Sequence, residues 1–438
     1  MSEEENGTDH GKDNGTDKGN EGVSGSGGTD QGGHSGSGPV DEQWIASLAA
    51  AARARVEPHS AGLLKLSHDI HARPELRFAE HTAADLLTAA LQREGFAVET
   101  GVGGMPTAFR ATRVFGDGGP ALAVFCEYDA LPGLGHGCGH NIIAAAGLGA
   151  ALATADLMAE RGLAGRLVVL GSPGEEGGGG KVGLIEAGAL DTIDAAVMTH
   201  PAGFDAVSRT NLGRLSLEAV FHGRASHAAA APELGRNALD AATLLLVAIG
   251  LLRQQLSTDA RVHAKVADGG QSINIIPERT RVELFARSAD HGYLRGRLYE
   301  ALRDCVQGAA LATGTTAELT EPAPAYDPVL ANPVLADMAA KTFTALGRPI
   351  DPATGWAGPA GSTDMGNVSR IVPALHPYIC AAPGAALHTR EFAQAAAEGG
   401  GDFAVLDGAA LLATLLTALF TRPELVAAAR GAFEQAAR

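Results

Sequence analysis

The chain has 438 residues, enough for two or three domains, and its 45% hydrophobic content is that of a globular protein. A formal net charge of −17 argues against nucleic acid as a partner, because phosphate binding needs a basic surface. Four cysteines without a framework spacing read as reduced thiols in a cytoplasmic chain, and no charge-free apolar run is long enough to span a membrane. Residues 1–40, rich in Gly, Ser, Thr, Asn, Asp and Glu, cannot bury enough apolar surface to offset ordering and are expected to be disordered. His10 and His34 in that tail carry no specific expectation. Helical spacing follows over Asp41–Arg55, Ser60–His71 and His81–Arg93, with Pro74 and Gly95 as stops, and then strands over Phe96–Thr100 and Thr107–Thr112.

The apolar run Ala121–Cys126 reads as a buried strand and Ile142–Ala155 as an Ala/Gly-rich helix, so EYDALPGLGHGCGHN between them is a strand-to-helix loop. Strand carboxyl ends are where open α/β sheets bind ligands. Cys138 and His140, two apart in a glycine loop, suit metal ligation. The pair alone leaves a buried cysteine beside a hydrogen-bonded histidine equally open.

Arg166–Leu170 is the next strand and runs into GSPGEEGGGGK. A phosphate loop is excluded there, since Glu175 stands at the first glycine position and Val182 follows Lys181. Strand Ala195–Met198 ends at His200, and alternation of strands with helices predicts a mostly parallel sheet flanked by helices. From about Asn211 the order becomes strand (Arg214–His222), helix (Asn237–Leu256), strands (Val262–Val266, Arg281–Arg287), helix (Tyr293–Ala312) and strand (Thr316–Thr320). That order predicts an inserted ferredoxin-like α+β domain over 211–324, dividing the other domain into 41–210 and 325–438. The second part holds a helix over Val329–Leu346, a strand over His376–Cys380 leading to His388, and a long apolar helix over Phe403–Phe420.

Four strand-end loops thus offer Cys138 and His140, Glu175 and Glu176, His200, and His388. Two divalent ions sharing a bridging ligand could activate a water and polarise an amide carbonyl there, with one free carboxylate moving the proton. Singly, each histidine is more often a core residue and a Glu-Glu pair a solvated turn; their joint placement at strand ends favours the site.

EYDALPGLGHGCGHN, GEEGGGGK, His200-Pro201, GRASHA, NIIP, GSTDMGN and the late His388 resemble the amidohydrolase branch of the aminoacylase and carboxypeptidase metallopeptidases, in order from about Ser60 to Phe420. Within that branch the motifs are similar to those of p-aminobenzoyl-glutamate hydrolase subunits and hydrolases of β-alanyl dipeptides. The resemblance implies a zinc-exopeptidase-like fold and two divalent ions, zinc or manganese, held by Cys138, His140, Glu176, His200 and His388 with Cys138 bridging. It implies Glu175 as general base, and Glu127 and Asp129 as groups that orient the ligands. His227 would stabilise the oxyanion from a neighbouring subunit, Asn274 and Arg287 would grip a substrate carboxylate, and Gly361 and Ser362 would line the pocket. A homodimer through the inserted domain follows from the role of His227. The expected reaction is hydrolysis of an N-acyl or N-aminoacyl amino acid. The alternatives are a dipeptidase for β-alanyl- or γ-aminobutyryl-lysine-type substrates and a non-catalytic binding or regulatory subunit.

Overall fold

The computed structural model describes residues 40–350 and 359–436, so the expected tail falls outside the described residues except for Val40, which is buried. Six strands form the central sheet in the order Ala97–Thr100, Phe109–Phe115, Gly165–Ser172, Ala121–Glu127, Ala195–Val197, Ala374–Leu375. The last four of these run parallel, whereas Phe109–Phe115 is antiparallel to both of its neighbours. Every residue of Ala121–Glu127 is buried, as a strand covered on both faces requires. Its alternate residues point to different cores: Leu122 and Val124 toward the helices Glu42–Val56, His140–Arg161 and Gly399–Thr421, Phe125 toward Leu184, Met365 and Val368.

Small residues let the helix His140–Arg161 lie close on the sheet. A Cβ at Gly147 would come within 2.6 Å of Cys126 Sγ. Among the described residues, three helices are long and apolar enough to cross a membrane, a longer inventory of apolar helices than charge-free runs alone disclose: His140–Arg161, Ala238–Gln255 and Gly399–Thr421. The first and third are spent on the core, being 89% and 83% buried.

A second sheet has the order Arg261–Asp268, Arg279–Ser288, Gly213–His222, Thr316–Thr320, antiparallel throughout. This is the ferredoxin-like strand order. Leu215, Leu217, Phe221, Val282 and Leu284 on one face meet Ala242, Leu245, Leu302 and Val306 of two helices in a separate apolar cluster. Helices Ser60–His71 and His81–Arg93 and strand Thr316–Thr320 fall where periodicity places them. Helices Gly180–Glu186 and Arg390–Ala395 are too short, and the first too glycine-rich, to be read in advance, whereas Pro423–Ala436, with apolar residues at helical spacing, extends beyond the expected elements.

Candidate metal centre

The loop after Ala121–Glu127 ends at Gly139, whose φ of 75° belongs to the left-handed region that favours glycine. A Cβ there would lie 2.6 Å from Pro201 Cγ. Gly139 therefore turns Cys138 and His140 toward one point and admits the His200-Pro201 segment beside them. The helix begins at His140 itself, two residues before the periodicity places it.

The hydrogen bonds fix which ring nitrogen faces inward. His200 Nδ1 is 2.7 Å from the Pro201 carbonyl, which can only accept, so Nδ1 carries the proton. That leaves the Nε2 lone pair facing Cys138 Sγ at 3.6 Å. His140 Nδ1 lies 2.9 Å from Asp129 Oδ1, and its Nε2 is buried with no hydrogen-bond partner, 3.6 Å from Glu127 Oε2. The other Asp129 oxygen accepts the Glu176 N–H at 2.9 Å, so one carboxylate orients two of the cluster's residues.

His388 Nε2 stands 3.2 Å from Glu176 Oε1. His388 has φ 63°, one of two such non-glycine residues among those described, and its N–H is held by the Gly137 carbonyl at 2.9 Å. A left-handed residue of this kind stores about 1–2 kcal/mol, consistent with a side chain placed for function rather than for folding.

The donor atoms fall into overlapping sets, each within 4.8 Å: Cys138, His140 and His200; Cys138, Glu176 and His388; His140, Glu175 and Glu176. Cys138 belongs to the first two, the place a bridging ligand would take. Burial pushes the Cys138 thiol well above its usual range, so its thiolate form calls for a cation in the cluster. An orphaned imidazole nitrogen, a thiol, two further histidines and a carboxylate at this spacing fit divalent metal.

Beneath the cluster lies a buried charge group that the sequence motifs do not advertise. The Lys181 ammonium donates to Glu127 and, at 2.7 Å, to Asp364 Oδ1, while its N–H donates to Asp364 Oδ2 at 3.0 Å; all three side chains are fully buried. The lysine of the glycine-rich loop is thus turned inward rather than toward a phosphate. Burial, followed by the charges of Glu127 and Asp364, raises the Glu175 carboxyl well above the usual carboxylate range. Asp364 sits within GSTDMGN, but nothing in its spacing distinguishes it there from Ser362.

Cys138, Glu175, Glu176, His200 and His388 line a cavity of about 540 Å³, together with Arg287, Gly361 and Ser362. Arg287 donates to Ser362 Oγ at 2.9 Å. His376 also lines the cavity, its buried ring edge-on to His200 with both nitrogens unpartnered. His227 and Asn274 lie elsewhere. His227 is on the short ribbon pairing Ser226–His227 with Ile275–Ile276 and Asn274 immediately precedes that ribbon's second strand, both residues exposed, with His227 Nδ1 accepting from the N–H groups of Ala229 and Ala230. Within one chain, therefore, Asn274 is outside the cavity that Arg287 lines.

Several of these histidines are held neutral. Burial, and next the charge of His140, lowers His200 to about 4, and burial lowers His136, buried in the same glycine loop two residues before Cys138, to about 3. Between a folded pKa near 4 and an unfolded value near 6.5 the unfolded state binds the extra proton, so stability falls as pH drops through that window. The metal-free protein is expected to lose on the order of 3 kcal/mol from His200 alone between pH 6.5 and pH 4, read from urea midpoints. A midpoint flat across that range would contradict the neutral, buried assignment.

Comparison with known proteins places the chain in a family. The model of peptidase family M20/M25/M40 matches residues 120–416. The chain is 37% identical over 400 residues to a mouse Xaa-Arg dipeptidase, covering 88% of this chain and 92% of that protein. It is 37% identical over 264 residues to one of the p-aminobenzoyl-glutamate hydrolase subunits of Escherichia coli, covering 56% of this chain and 54% of that protein. The fold matches a dinuclear metal-binding M20 peptidase from Bacillus subtilis with a TM-score of 0.61 at 22% identity, over 83% of this chain and 99% of that one. With a family match over most of the chain and a relative of 37% identity covered along 92% of its length, the chain belongs to peptidase family M20/M25/M40 and is a hydrolase.

Proposed function

We propose that this hydrolase cleaves the amide bond of an N-acyl or N-aminoacyl amino acid with a free carboxylate, p-aminobenzoyl-glutamate being representative. The observation that carries the reading is Glu175, a buried carboxylate beside the donor cluster, in the same cavity as Arg287. Cys138, His140, Glu176, His200 and His388 would hold two divalent ions, zinc or manganese. Bound there, such ions supply the Lewis acidity that activates water and polarises an amide carbonyl. Glu175 would take the proton of the attacking water and return it to the leaving nitrogen. Arg287, its fork steadied by Ser362, suits the substrate carboxylate, and Gly361 borders the same space. A free carboxylate retained beside the ligands speaks for catalysis over mere binding.

Residues 211–324 are proposed as an inserted lid and dimerisation domain of a cytoplasmic homodimer, in which His227 and Asn274 complete the partner's cavity. Their exposure at a ribbon outside their own cavity supports this. Mixing inactive His227→Ala and Glu175→Gln chains then restores part of the activity, because one kind of mixed site has both groups; no recovery at any mixing ratio counts against it.

A dipeptidase for substrates ending in a basic residue, β-alanyl- or γ-aminobutyryl-lysine included, is the second reading, favoured by the identity to Xaa-Arg dipeptidase. Hydrolysis of p-aminobenzoyl-glutamate, N-acetyl amino acids, β-alanyl-lysine and an Xaa-Arg dipeptide by metal-supplemented protein decides. The proposal expects the glutamate amide to have the highest kcat/KM. Preference for the basic dipeptides would establish the second reading, and no turnover of any amide would overturn both.

A further inference from the structure

The outer face of the second sheet shows where charge is balanced and where it is not. Arg281 lies 2.8 Å from Glu218 and 2.7 Å from Glu283, and Lys265 lies 2.8 Å from Glu283. At the cavity end of the same face, Arg287 stands directly opposite Arg214 in the strand register. Like charges opposed across a ladder are destabilising. The third arginine of that row, Arg261, turns away to the Thr258 and Ala260 carbonyls.

Arg214 is built in rather than left loose. Its guanidinium lies 4.1 Å over the Tyr326 ring and 5.3 Å from Phe285, and its buried Nε has no hydrogen-bond partner. The Tyr326 hydroxyl donates to the Glu175 carbonyl at 2.5 Å, tying this stack to the loop that carries the proposed base. Arg214 also borders that loop, its NH1 being 3.9 Å from where a Cβ on Gly177 would lie. Burial, and then the charge of Arg214, lowers Arg287 below the ordinary guanidinium range. Among the described residues, the only carboxylates lining the cavity are Glu175 and Glu176, the first proposed above as the base and the second as a metal ligand. A cationic substrate group would find guanidinium groups and no spare acid; an anionic one would relieve the opposition.

We propose that Arg214 is a specificity-determining residue that, beside Arg287, binds the second carboxylate of a dicarboxylic amino acid, so that the substrates are amides of glutamate- or aspartate-like residues. This rests on the amidohydrolase reading above, with Arg287 on the carboxylate common to all substrates. Two guanidinium forks set on neighbouring strands give the two anchoring points that a dicarboxylate needs and a monocarboxylate cannot fill.

The test compares kcat/KM for an N-acyl-glutamate and the isosteric N-acyl-glutamine in wild type, Arg214→Gln and Arg287→Gln, all metal-supplemented. Wild type is expected to favour the glutamate amide about 10-fold to 100-fold, the worth of one charge-assisted contact. Arg214→Gln collapses that ratio to within about threefold, whereas Arg287→Gln raises KM for both compounds. Arg214→Lys, which keeps charge without the fork, gives an intermediate ratio and serves if the glutamine variant fails to fold. A wild-type ratio near one, or an unchanged ratio in either Arg214 variant, overturns the proposal. Should neither amide be turned over, the amidohydrolase reading fails by itself, and calorimetry with free glutamate and free glutamine still decides the clamp. Tighter glutamate binding that Arg214→Gln abolishes upholds it, and equal binding of the two overturns it.

Discussion

Glu175→Gln is expected to lower kcat by about 10²-fold to 10⁴-fold while metal bound per chain stays at the wild-type level. The two carboxylates of the glycine-rich loop are distinguished by their surroundings. Glu176 is paired with His388, and its N–H is held by Asp129, whereas Glu175 is buried above Glu127 and Asp364 with its carboxyl raised well above the usual range. A group placed so is suited to carrying a proton rather than to neutralising a cation. The amide of glutamine keeps the shape and loses the proton transfer. Steady-state kinetics with elemental analysis of the same samples checks this; a variant that loses its metal along with its activity would reassign Glu175 as a ligand.

Lys181→Met is the substitution with the largest expected effect on stability. Burial alone would drive the lysine toward its neutral form, but Asp364 and Glu127 outweigh it and raise its pKa. Removing the ammonium leaves two fully buried carboxylates without their cation, which typically destabilises by about 3–5 kcal/mol. Urea unfolding of the metal-free proteins should show that loss. The triple variant Lys181→Met, Glu127→Gln, Asp364→Asn should recover much of it, since it removes the stranded charges as well. A single variant unfolding at the wild-type midpoint would show that the buried triad carries no such burden.

How much of this was legible beforehand depends on what each residue needs in order to be placed. Cys138, Glu175, Glu176, His200 and His388 are readable because each follows a strand, and a strand's apolar run locates its end. The second sheet's strand order is legible for the same reason, from alternation in RLSLEAVFH and its partners. Lys181 and Asp364 are not, because whether a side chain turns inward is set by three-dimensional packing: Lys181 lies in the first turn of a helix too short and glycine-rich to show periodicity. Arg214 escapes notice for a different reason. Its meaning lies in the register that sets it opposite Arg287, and register between strands about 70 residues apart leaves no local mark. The inference from motifs that Asn274 and Arg287 act together joins a cavity residue to one outside that cavity in a single chain, and only the proposed homodimer would bring them together.

Metal content per chain tests the central claim most directly. Elemental analysis of wild type and Cys138→Ser, each supplied with zinc or manganese and then freed of unbound ion, is expected to give about two ions per wild-type chain. The serine variant, having lost the atom common to two donor sets, is expected to hold fewer. Folded wild-type protein that retains no divalent ion under these conditions would contradict the account.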